Sequence, residues 1–324
     1  MKAVQVTRFG DPSVLAVAEL PDPTPGPGQV AIDVTHAAVG LVDVYLRQGV
    51  YKHREGLPQP PYVPGLEVAG TVRALGDGVT GFAIGEPVVA LSGSGSGGYA
   101  SVYVRDQAYV VSTAGYDIDP GLAVAVVPNA IMAHVALTRA ARMSTGESVL
   151  IHGALGGFAS AFPGMARHLG ASRVVGTVRT EKFGATTALP YDTLVDSAQL
   201  PDALAGEKFD VIVDPVGGTV RTQSLALLAP LGRLLLVGNA SGDWDHRIDS
   251  NGIWYGTVSV TGFSAGAYLP SHPETIRPAA EAALTTVTAG LADTKIEVLP
   301  FADAATAHER LERHEVNGRI VLTP

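Results

Sequence analysis

The chain has 324 residues, of which 46% are hydrophobic and 16% are charged, a composition typical of well-packed globular proteins. Its formal net charge is −9 and it contains no lysine- or arginine-rich block, so we expect binding to neither nucleic acid nor acidic membranes. Cysteine is absent, which excludes disulfides and zinc sites built on thiolates.

The sequence pattern predicts no signal for export or membrane insertion. The first residues, MKAVQVTRFGDP, alternate like a strand and lack the apolar core of a signal peptide. We expect no membrane span, since the apolar runs stay shorter than the roughly 20 residues that cross a bilayer. These features predict a cytoplasmic protein.

Short β-strands are predicted for the first 120 residues, because apolar or alternating runs are separated there by turns rich in Gly, Pro and Asp. The glycine-rich segment Ser92–Gly98 is predicted to be a loop within this region. The predicted strands are Lys2–Thr7, Gln29–Thr35, Glu67–Ala74 and Pro87–Leu91.

Helices and short apolar strands alternate from about Pro120 onward. Short apolar runs between helices indicate strands that are buried on both faces of a parallel sheet. The predicted strands are Ser148–Ile151, Arg173–Thr177, Leu194–Asp196, Asp210–Asp214 and Arg233–Val237. The predicted helices are Gly121–Ala141, Gly157–Leu169, Glu181–Leu189, Val220–Ala229 and Glu274–Ala289.

A glycine-rich turn follows the predicted strand Ser148–Ile151 and precedes a predicted helix. Small residues at such a turn let the backbone approach a pyrophosphate, and the N–H groups that open the helix face the anion. The arrangement predicts a bound dinucleotide. The candidate cofactor-binding residues of the turn are Gly153, Ala154, Gly156, Gly157 and Phe158.

The end of the next strand bears on which dinucleotide is bound. A site that prefers NAD usually has an acidic residue about 20 residues after the glycine turn, bonded to the ribose 2′-hydroxyl. Residues 176–179 contain no acidic side chain but include Thr177 and Arg179, and Lys182 follows shortly. Two cations there favour NADP(H), because they can pair with a 2′-phosphate. The alternative is that both are solvated residues at the start of a helix.

A series of sequence blocks runs through the whole chain in one order, namely PGPGQV, VDVYLRQGVY, PYVPGLEVAGTV, GESVLIHGALGG, FDVIVDPVGG, GRLLLVGNASG and GRIVL. Together they resemble the quinone oxidoreductase (zeta-crystallin-like) branch of the medium-chain dehydrogenases/reductases. The resemblance implies an α/β protein, commonly a homodimer. It assigns residues 1–120 and 265–324 to a β-rich, GroES-like catalytic domain and residues 121–264 to a Rossmann domain with a doubly wound parallel sheet.

Two positions separate the chain from the zinc alcohol dehydrogenases of the same superfamily. Those enzymes have a histidine zinc ligand where this chain has Leu66, and a cysteine ligand where it has Gly40. Their four-cysteine structural lobe is also absent from this chain. The resemblance therefore implies a reductase that works without a metal.

Candidate catalytic residues follow from the same resemblance. In enoyl-thioester reductases of this fold a Tyr in a G-x-Y block is the proposed proton donor, and Gly49-Val50-Tyr51 matches that block. Tyr51 is therefore the first candidate for proton donor or oxyanion partner; the alternative is that it only lines the pocket. Tyr45 and Arg47 are further candidates, with ordinary packing and surface roles as alternatives. Asp43 is predicted to be an orienting or structural residue rather than a base.

The implied reaction is hydride transfer from NADPH to a quinone or another α,β-unsaturated carbonyl. An enoyl reductase acting on a thioester or a biosynthetic intermediate is the alternative within enzymes. A non-catalytic, crystallin-like or RNA-binding NADPH-binding protein is a more distant alternative. The family pattern also predicts that Val216, Gly238 and Asn239 contact the cofactor.

Overall fold

The structure, a computed structural model, describes residues 1–92, 96–185 and 187–324. Residues 93–95 of the predicted loop Ser92–Gly98 lie outside the described residues. The described chain divides into two compact units. The first contains Met1–Pro128, Ala265–Leu284 and Thr294–Pro324, and the second contains Asn129–Ser264 and Thr285–Asp293. The domain boundaries taken from the resemblance stay a prediction.

The regular elements of the described residues are numbered in chain order. The strands are β1 (Lys2–Val6), β2 (Leu15–Glu19), β3 (Gln29–Ala38), β4 (Glu67–Leu75), β5 (Pro87–Leu91), β6 (Val102–Asp106), β7 (Val110–Ser112), β8 (Ser148–Ile151), β9 (Arg173–Val178), β10 (Thr193–Asp196), β11 (Phe209–Asp214), β12 (Leu228–Leu236), β13 (Ser259–Gly262), β14 (Ile296–Pro300) and β15 (Arg319–Thr323). The α-helices are α1 (Leu41–Gln48), α2 (Pro120–Val135), α3 (Phe162–His168), α4 (Leu200–Ala203), α5 (Thr219–Ala226), α6 (Ser250–Gly256), α7 (Ala265–Tyr268), α8 (Ile276–Thr288) and α9 (Ala304–Glu312).

The first unit is built on a mixed sheet in the order β14-β15-β3-β4-β5-β7, with β6 also paired to β3. All of its strand pairs are antiparallel except β14 with β15. Strand β3 is buried along most of its length, because β4, β6 and β15 all pair with it. Helix α1 begins shortly after β3 and carries the candidate catalytic residues Asp43, Tyr45 and Arg47, and Tyr51 follows its end.

The second unit is a wholly parallel sheet in the order β10-β9-β8-β11-β12-β13. In chain order this is 3-2-1-4-5-6, the doubly wound arrangement, so the predicted fold class is confirmed. Its central strands are apolar and fully buried, as in Val149, Leu150 and Ile151 of β8. The strand order reverses between β8 and β11, and open α/β sheets bind ligands beyond the carboxyl ends of the strands at that point.

Two predicted helices differ from the structure. In the predicted helix Glu181–Leu189, the described residues form only a 3-10 turn, Thr180–Lys182, because Gly184 adopts a φ of +86° that a helix does not allow. The predicted helix Gly157–Leu169 begins as an α-helix only at Phe162, after a 3-10 turn. Pro163 explains this start, since a proline suits the first turn of a helix and not its interior.

One helical segment contradicts the expectation that no apolar run is long enough to cross a membrane. Helix α2 continues into a π-helical turn, and the 21 residues Pro120–Ala140 are long and apolar enough by length and composition. However, 78% of its most apolar window is buried inside the protein. A buried core helix passes the same length and composition test, so this segment is weak evidence for a membrane span.

Candidate cofactor and active site

The predicted cofactor-binding residues follow the carboxyl ends of parallel strands in the second unit, except Thr177, which lies in β9 one residue before its end. The glycine turn Gly153–Phe158 follows β8, and Val216 follows β11, its neighbour across the switch point. If Gly153 carried a Cβ, that atom would lie 3.4 Å from Cγ2 of Val216, so the two turns are packed together. The structure therefore brings these residues to one edge of the sheet, where a dinucleotide is expected.

The glycine turn is shaped to receive an anion. Gly153 has a φ of +62°, a conformation that favours glycine, and it lets the chain reverse after β8. The carbonyl of Gly157 accepts hydrogen bonds from Nδ2 of Asn129 at 2.9 Å and from the hydroxyl of Ser160 at 3.1 Å. In the part of the chain that the structure describes, the N–H groups of Gly157 and Phe158 donate to no protein acceptor. These donors fit a pyrophosphate.

Two of the predicted cofactor residues, Ala154 and Thr177, form hydrogen bonds that hold the glycine turn in place. The N–H of Ala154 donates to the carbonyl of Thr177 at 2.8 Å, and the carbonyl of Ala154 accepts from the hydroxyl of Tyr191 at 3.0 Å. Gly176 leaves room for this packing, because a Cβ there would lie 2.6 Å from Cβ of Ala154. Ala154 and Thr177 are both buried, and their hydrogen bonds fix the position of the glycine turn.

A buried histidine next to the glycine turn connects the end of β8 with β9 and α5. His152 is 1% exposed, and its Nδ1 and Nε2 lie 3.0 Å from Thr177 Oγ1 and 2.9 Å from Ser224 Oγ. Ser224 donates its own proton to the carbonyl of Val220, so it accepts from Nε2–H, and Nδ1 accepts from the Thr177 hydroxyl. Burial lowers the pKa of His152 from 6.5 to about 4, so the ring is neutral at physiological pH.

The His152→Gln variant is expected to lose stability less steeply in acid than the wild type. The pKa of His152 is about 4 in the folded chain against 6.5 when unfolded, so below pH 6.5 only the unfolded chain takes up the proton. This group alone therefore lowers the wild-type free energy of unfolding by about 3 kcal/mol between pH 6.5 and 4. Urea unfolding across that range measures the slope, and the exposed His53→Gln serves as control. Equal slopes in wild type and His152→Gln would contradict the assignment.

The two predicted phosphate-binding cations follow β9. Arg179 is exposed and precedes the 3-10 turn that contains Lys182, whose N–H donates to the Arg179 carbonyl at 2.8 Å. Partial burial lowers the pKa of the Lys182 ammonium, and the nearby positive charge of Arg179 lowers it further. The structure thus places two cations in electrostatic contact beyond the strand next to the glycine turn. An anion between them would relieve their mutual repulsion.

The turns after β11 and β12 are joined by an ion pair that the sequence did not reveal. Asp214 is fully buried, and its Oδ1 accepts the N–H groups of Val216 and Gly217, both at 2.8 Å. Its Oδ2 accepts from Nε of Arg221 at 2.9 Å, and Nη2 of Arg221 donates to the carbonyl of Gly238 at 3.0 Å. The pair therefore holds Val216 and Gly238 in place. In the sequence, the position of Asp214 directly before Pro-Val-Gly-Gly could have indicated a carboxylate that binds this turn. No neighbouring residue indicated that Arg221 is its partner.

The loop after β12 is tightly packed on the glycines of the neighbouring turn. The N–H of Ser241 donates to the carbonyl of Val216 at 2.7 Å. Gly217 has a φ of +80°, and a Cβ there would lie 2.0 Å from Oδ1 of Asn239. Asn239, a predicted cofactor residue, is thus held against the turn after β11 by a position that only glycine can occupy.

In the first unit, Asp43 accepts hydrogen bonds from three separate segments. Its carboxylate accepts the N–H of Gly40 at 2.9 Å, the N–H of Gly65 at 3.2 Å and the hydroxyl of Tyr99 at 3.3 Å. Asp43 is 1% exposed, and burial raises its pKa to about 7, with the nearby charge of Glu67 adding to the rise. These contacts are compatible with an orienting or structural role for Asp43, which stays a prediction.

The positions that match zinc ligands lie beside a buried ion pair. Gly40 and Leu66 carry no metal-binding side chain. The next residue, Glu67, pairs with Arg319 through Oε2 and Nη2 at 2.5 Å, and both side chains are less than 10% exposed. Within the described ranges, no group of three or more His, Cys, Asp or Glu side chains is arranged to hold a metal ion.

Tyr45 and Tyr51 lie side by side at the end of α1. Their rings meet edge to face with centroids 6.2 Å apart, and the guanidinium of Arg54 lies 5.2 Å from the centre of the Tyr51 ring. Both tyrosines are partly buried, and burial raises the pKa of each phenol above its usual value. Both are therefore protonated at neutral pH, as a proton donor must be.

Arg47, the remaining catalytic candidate, is fully buried. Its guanidinium forms an ion pair with Glu312 and donates from Nη1 to the carbonyl of Gly10 at 2.8 Å. Arg47 was predicted as a residue that faces a substrate cleft. In the structure its side chain instead lies inside the first unit, bound to Glu312 and Gly10.

Comparison with known proteins identifies the family. Models of the alcohol dehydrogenase GroES-like domain and of zinc-binding dehydrogenases match residues 26–122 and 169–322. The quinone oxidoreductase of Lama guanicoe is 33% identical over 74% of this chain and 73% of its own length. The chain belongs to the quinone oxidoreductase branch of the medium-chain dehydrogenases/reductases. The resemblance seen in the sequence is therefore confirmed, as is its implication that the protein is an enzyme.

Two full-length matches extend this family membership. The 2-haloacrylate reductase of Burkholderia sp is 29% identical over 99% of this chain and 98% of its own length. The structure of mycobacterial Rv1454c complexed with NADPH is 29% identical, covers 100% of both chains and superposes with a TM-score of 0.87. One of the matching models is named for zinc binding, whereas the two positions matched above to zinc ligands are Gly40 and Leu66 in this chain.

Proposed function

We propose that the protein is an NADPH-dependent reductase that transfers hydride to a quinone or another α,β-unsaturated carbonyl. The observation that carries the proposal is the edge of the parallel sheet in the second unit. There, the unpaired N–H groups of Gly157 and Phe158 follow β8, and the cations Arg179 and Lys182 follow the adjacent β9. Pyrophosphate and 2′-phosphate are the anions that such neighbouring donors and charges suit. The mycobacterial relative, which is solved with NADPH, supports the same cofactor.

When it is bound, the nicotinamide supplies the hydride, and the residues of this chain bind, orient and handle the proton. Gly157 and Phe158 bind the pyrophosphate, while Arg179 and Lys182 pair with the 2′-phosphate. Val216, Gly238 and Asn239 line the cofactor site at the ends of β11 and β12. On the substrate side, the Tyr51 hydroxyl donates a hydrogen bond to the oxygen that becomes negative, or a proton to the enolate.

The Tyr51→Phe variant is expected to lower kcat about 100-fold with little change in KM for NADPH, because the substrate oxygen loses its donor. Steady-state kinetics with one quinone and one enone measures the effect. Tyr116→Phe, which removes an exposed hydroxyl elsewhere in the first unit, is the matched control. Unchanged kcat in Tyr51→Phe would reduce Tyr51 to a residue that lines the pocket.

The reductase assignment is tested by following NADPH oxidation against ortho- and para-quinones, enones and enoyl thioesters. Turnover of a quinone or an enone above the rate without enzyme supports the proposal. Absence of turnover on every member of the panel, with NADPH binding intact by fluorescence, would overturn it and favour a non-catalytic NADPH-binding protein.

A second candidate is an enoyl reductase that acts on a conjugated acid derivative. Arg54, which lies over the Tyr51 ring, supplies a cation next to the proposed donor and suits an acidic substrate. The full-length relative named 2-haloacrylate reductase supports this candidate. A kcat/KM for an acrylate or thioester above that for quinones would promote it.

We also propose a cytoplasmic homodimer. In the second unit, β13 is the outermost strand of the sheet, and Trp254 and Tyr255 of the preceding helix α6 are 76% and 85% exposed. Among the described residues β13 pairs only with β12, so its other edge, preceded in the chain by a helix with large exposed aromatic side chains, suits pairing with a second copy. Sedimentation velocity measures the mass, and a monomer at micromolar concentration would refute the dimer.

A further inference from the structure

Arg47 links helix α1 to two distant parts of the first unit. Besides its bond to the carbonyl of Gly10 and its ion pair with Glu312, its own carbonyl accepts the N–H of Gly10 at 3.1 Å. The side chain is 0% exposed. A fully buried guanidinium needs such partners, because an unpaired charge in the interior is strongly unfavourable. The guanidinium is therefore part of the internal packing between α1, the loop at Gly10 and α9.

Glu312 of α9 holds α1 by charge. It is the last residue of α9, and its Oε1 accepts from Arg47 and also from Nε2 of Gln48 at 2.9 Å. One carboxylate thus binds two consecutive side chains in the last turn of α1. The side chain of Glu312 is 27% exposed, and a glutamine there would keep an oxygen that can accept from Arg47 and Gln48.

The end of α1 leads rigidly to Tyr51. Gly49 ends the helix with a φ of +75°, and its N–H donates to the carbonyl of Leu46 at 3.0 Å. A Cβ at Gly49 would lie 3.0 Å from Cγ of Phe9, so the turn is pressed against the loop that Arg47 holds through Gly10. The N–H of Val50 then donates to the carbonyl of Tyr45 at 3.0 Å. The position of Tyr51 therefore follows the position of α1.

We propose that Glu312 and Arg47 are a positioning pair, through which the C-terminal helix α9 fixes the tyrosine that acts in the reduction. The proposal rests on the function proposed above, in that it assigns the chemical step to Tyr51. It gives Arg47 no contact with substrate or cofactor. It also assigns to α9, which is distant from Tyr51 in sequence, control over the rate of the reaction.

A double-mutant cycle separates this role from simple stabilisation. Glu312→Gln keeps the size of the side chain and removes its charge. We expect it to lower kcat roughly tenfold when Tyr51 is present, because a small displacement of the donor slows proton transfer. In the Tyr51→Phe background the same change is expected to have almost no further effect on kcat, since no donor remains to be displaced. Effects that multiply in the double variant would overturn the proposal.

Glu309→Gln is the matched control, because Glu309 lies on the same helix in an exposed ion pair with Arg313. It is expected to leave kcat unchanged. Hydrogen exchange of the amides of residues 45–51 gives a readout that does not require turnover. Glu312→Gln is expected to speed this exchange roughly tenfold and Glu309→Gln is not. Equal exchange in the two variants would show that α9 does not hold α1.

The two proposals fail in different ways. If Tyr51→Phe retains the wild-type kcat, or no substrate is turned over, the proposed role of Tyr51 in the reduction is wrong, and the positioning of a catalytic tyrosine falls with it. If Tyr51→Phe lowers kcat but Glu312→Gln acts independently of it, the reductase assignment stands and the positioning pair is wrong.

Discussion

Replacing both Arg179 and Lys182 with alanine is expected to lower the preference for NADPH over NADH at least 100-fold. Each charge-assisted hydrogen bond to a phosphate contributes about 1.5–3 kcal/mol, and only NADPH carries the 2′-phosphate that both cations can bind. Nearly all of the change should therefore lie in KM for NADPH, while NADH kinetics stay close to wild type. The measurement is kcat/KM with each cofactor at a fixed concentration of one accepted quinone.

Lys208→Ala controls for the general loss of a positive charge from the second unit. Lys208 precedes β11, so it lies at the opposite edge of the parallel sheet from the residues that follow the strands. Its removal is expected to leave the cofactor ratio unchanged. A wild-type ratio in Arg179→Ala/Lys182→Ala would mean that the 2′-phosphate binds elsewhere, and a fall with Lys208→Ala would point to long-range charge instead of contact.

Arg319→Met is expected to lower the free energy of unfolding by about 3–5 kcal/mol, the usual cost of leaving a buried charge without its partner. Arg319 is the cation paired with Glu67, and its charge also favours the ionised form of Asp43. Without it, the buried carboxyl group of Glu67 loses the cation with which it is paired, and the nearby Asp43 loses a favourable charge. Methionine retains much of the side-chain volume, so the loss reports on charge more than on a cavity.

The loss in free energy of unfolding caused by Arg319→Met should grow with pH. Burial already raises the pKa of Asp43 to about 7, and removal of Arg319 moves it further up, so the folded variant binds protons that the unfolded chain releases. Because both folded forms keep this proton at lower pH, the stability relative to wild type is constant below about pH 6 and falls as the pH rises through 7 towards 8. Urea unfolding at several pH values measures this difference. Arg313→Met, which removes an exposed pair, should match wild type throughout, and a deficit independent of pH would contradict the proposed charge effect.

Much of the fold could be predicted because it follows from the pattern of apolar and polar residues within short segments of the chain. Short apolar runs between helical segments placed β8 at Ser148–Ile151, as the structure has it, and placed β11 within one residue of its start. Burial on both faces of a parallel sheet produces such runs directly. The segment after β9 failed the same reasoning, because the helical pattern after Glu181 gave no weight to the left-handed backbone at Gly184.

For the candidate site, too, some features could be predicted from the sequence and others could not. The glycine turn was visible because the conformation of Gly153 restricts the residue type at that position. The burial of Arg47 and Asp43 was not visible, since a charged residue on a short amphipathic helix has the same local pattern whether it is solvated or buried. Sequence placed Arg47 among candidates for the active site, and the structure finds it inside the first unit.

The sequence by itself determined the family, the doubly wound sheet and the absence of cysteine and histidine at the zinc-ligand positions, because these depend on residue types and on spacing along the chain. Only the tertiary structure decided which charges are paired. Arg47 meets Glu312 across 265 positions of the chain, and Arg319 meets Glu67 across 252. The free energy of a charge depends on its burial and on its nearest partner in space. Neither quantity is a property of the neighbouring residues in the chain.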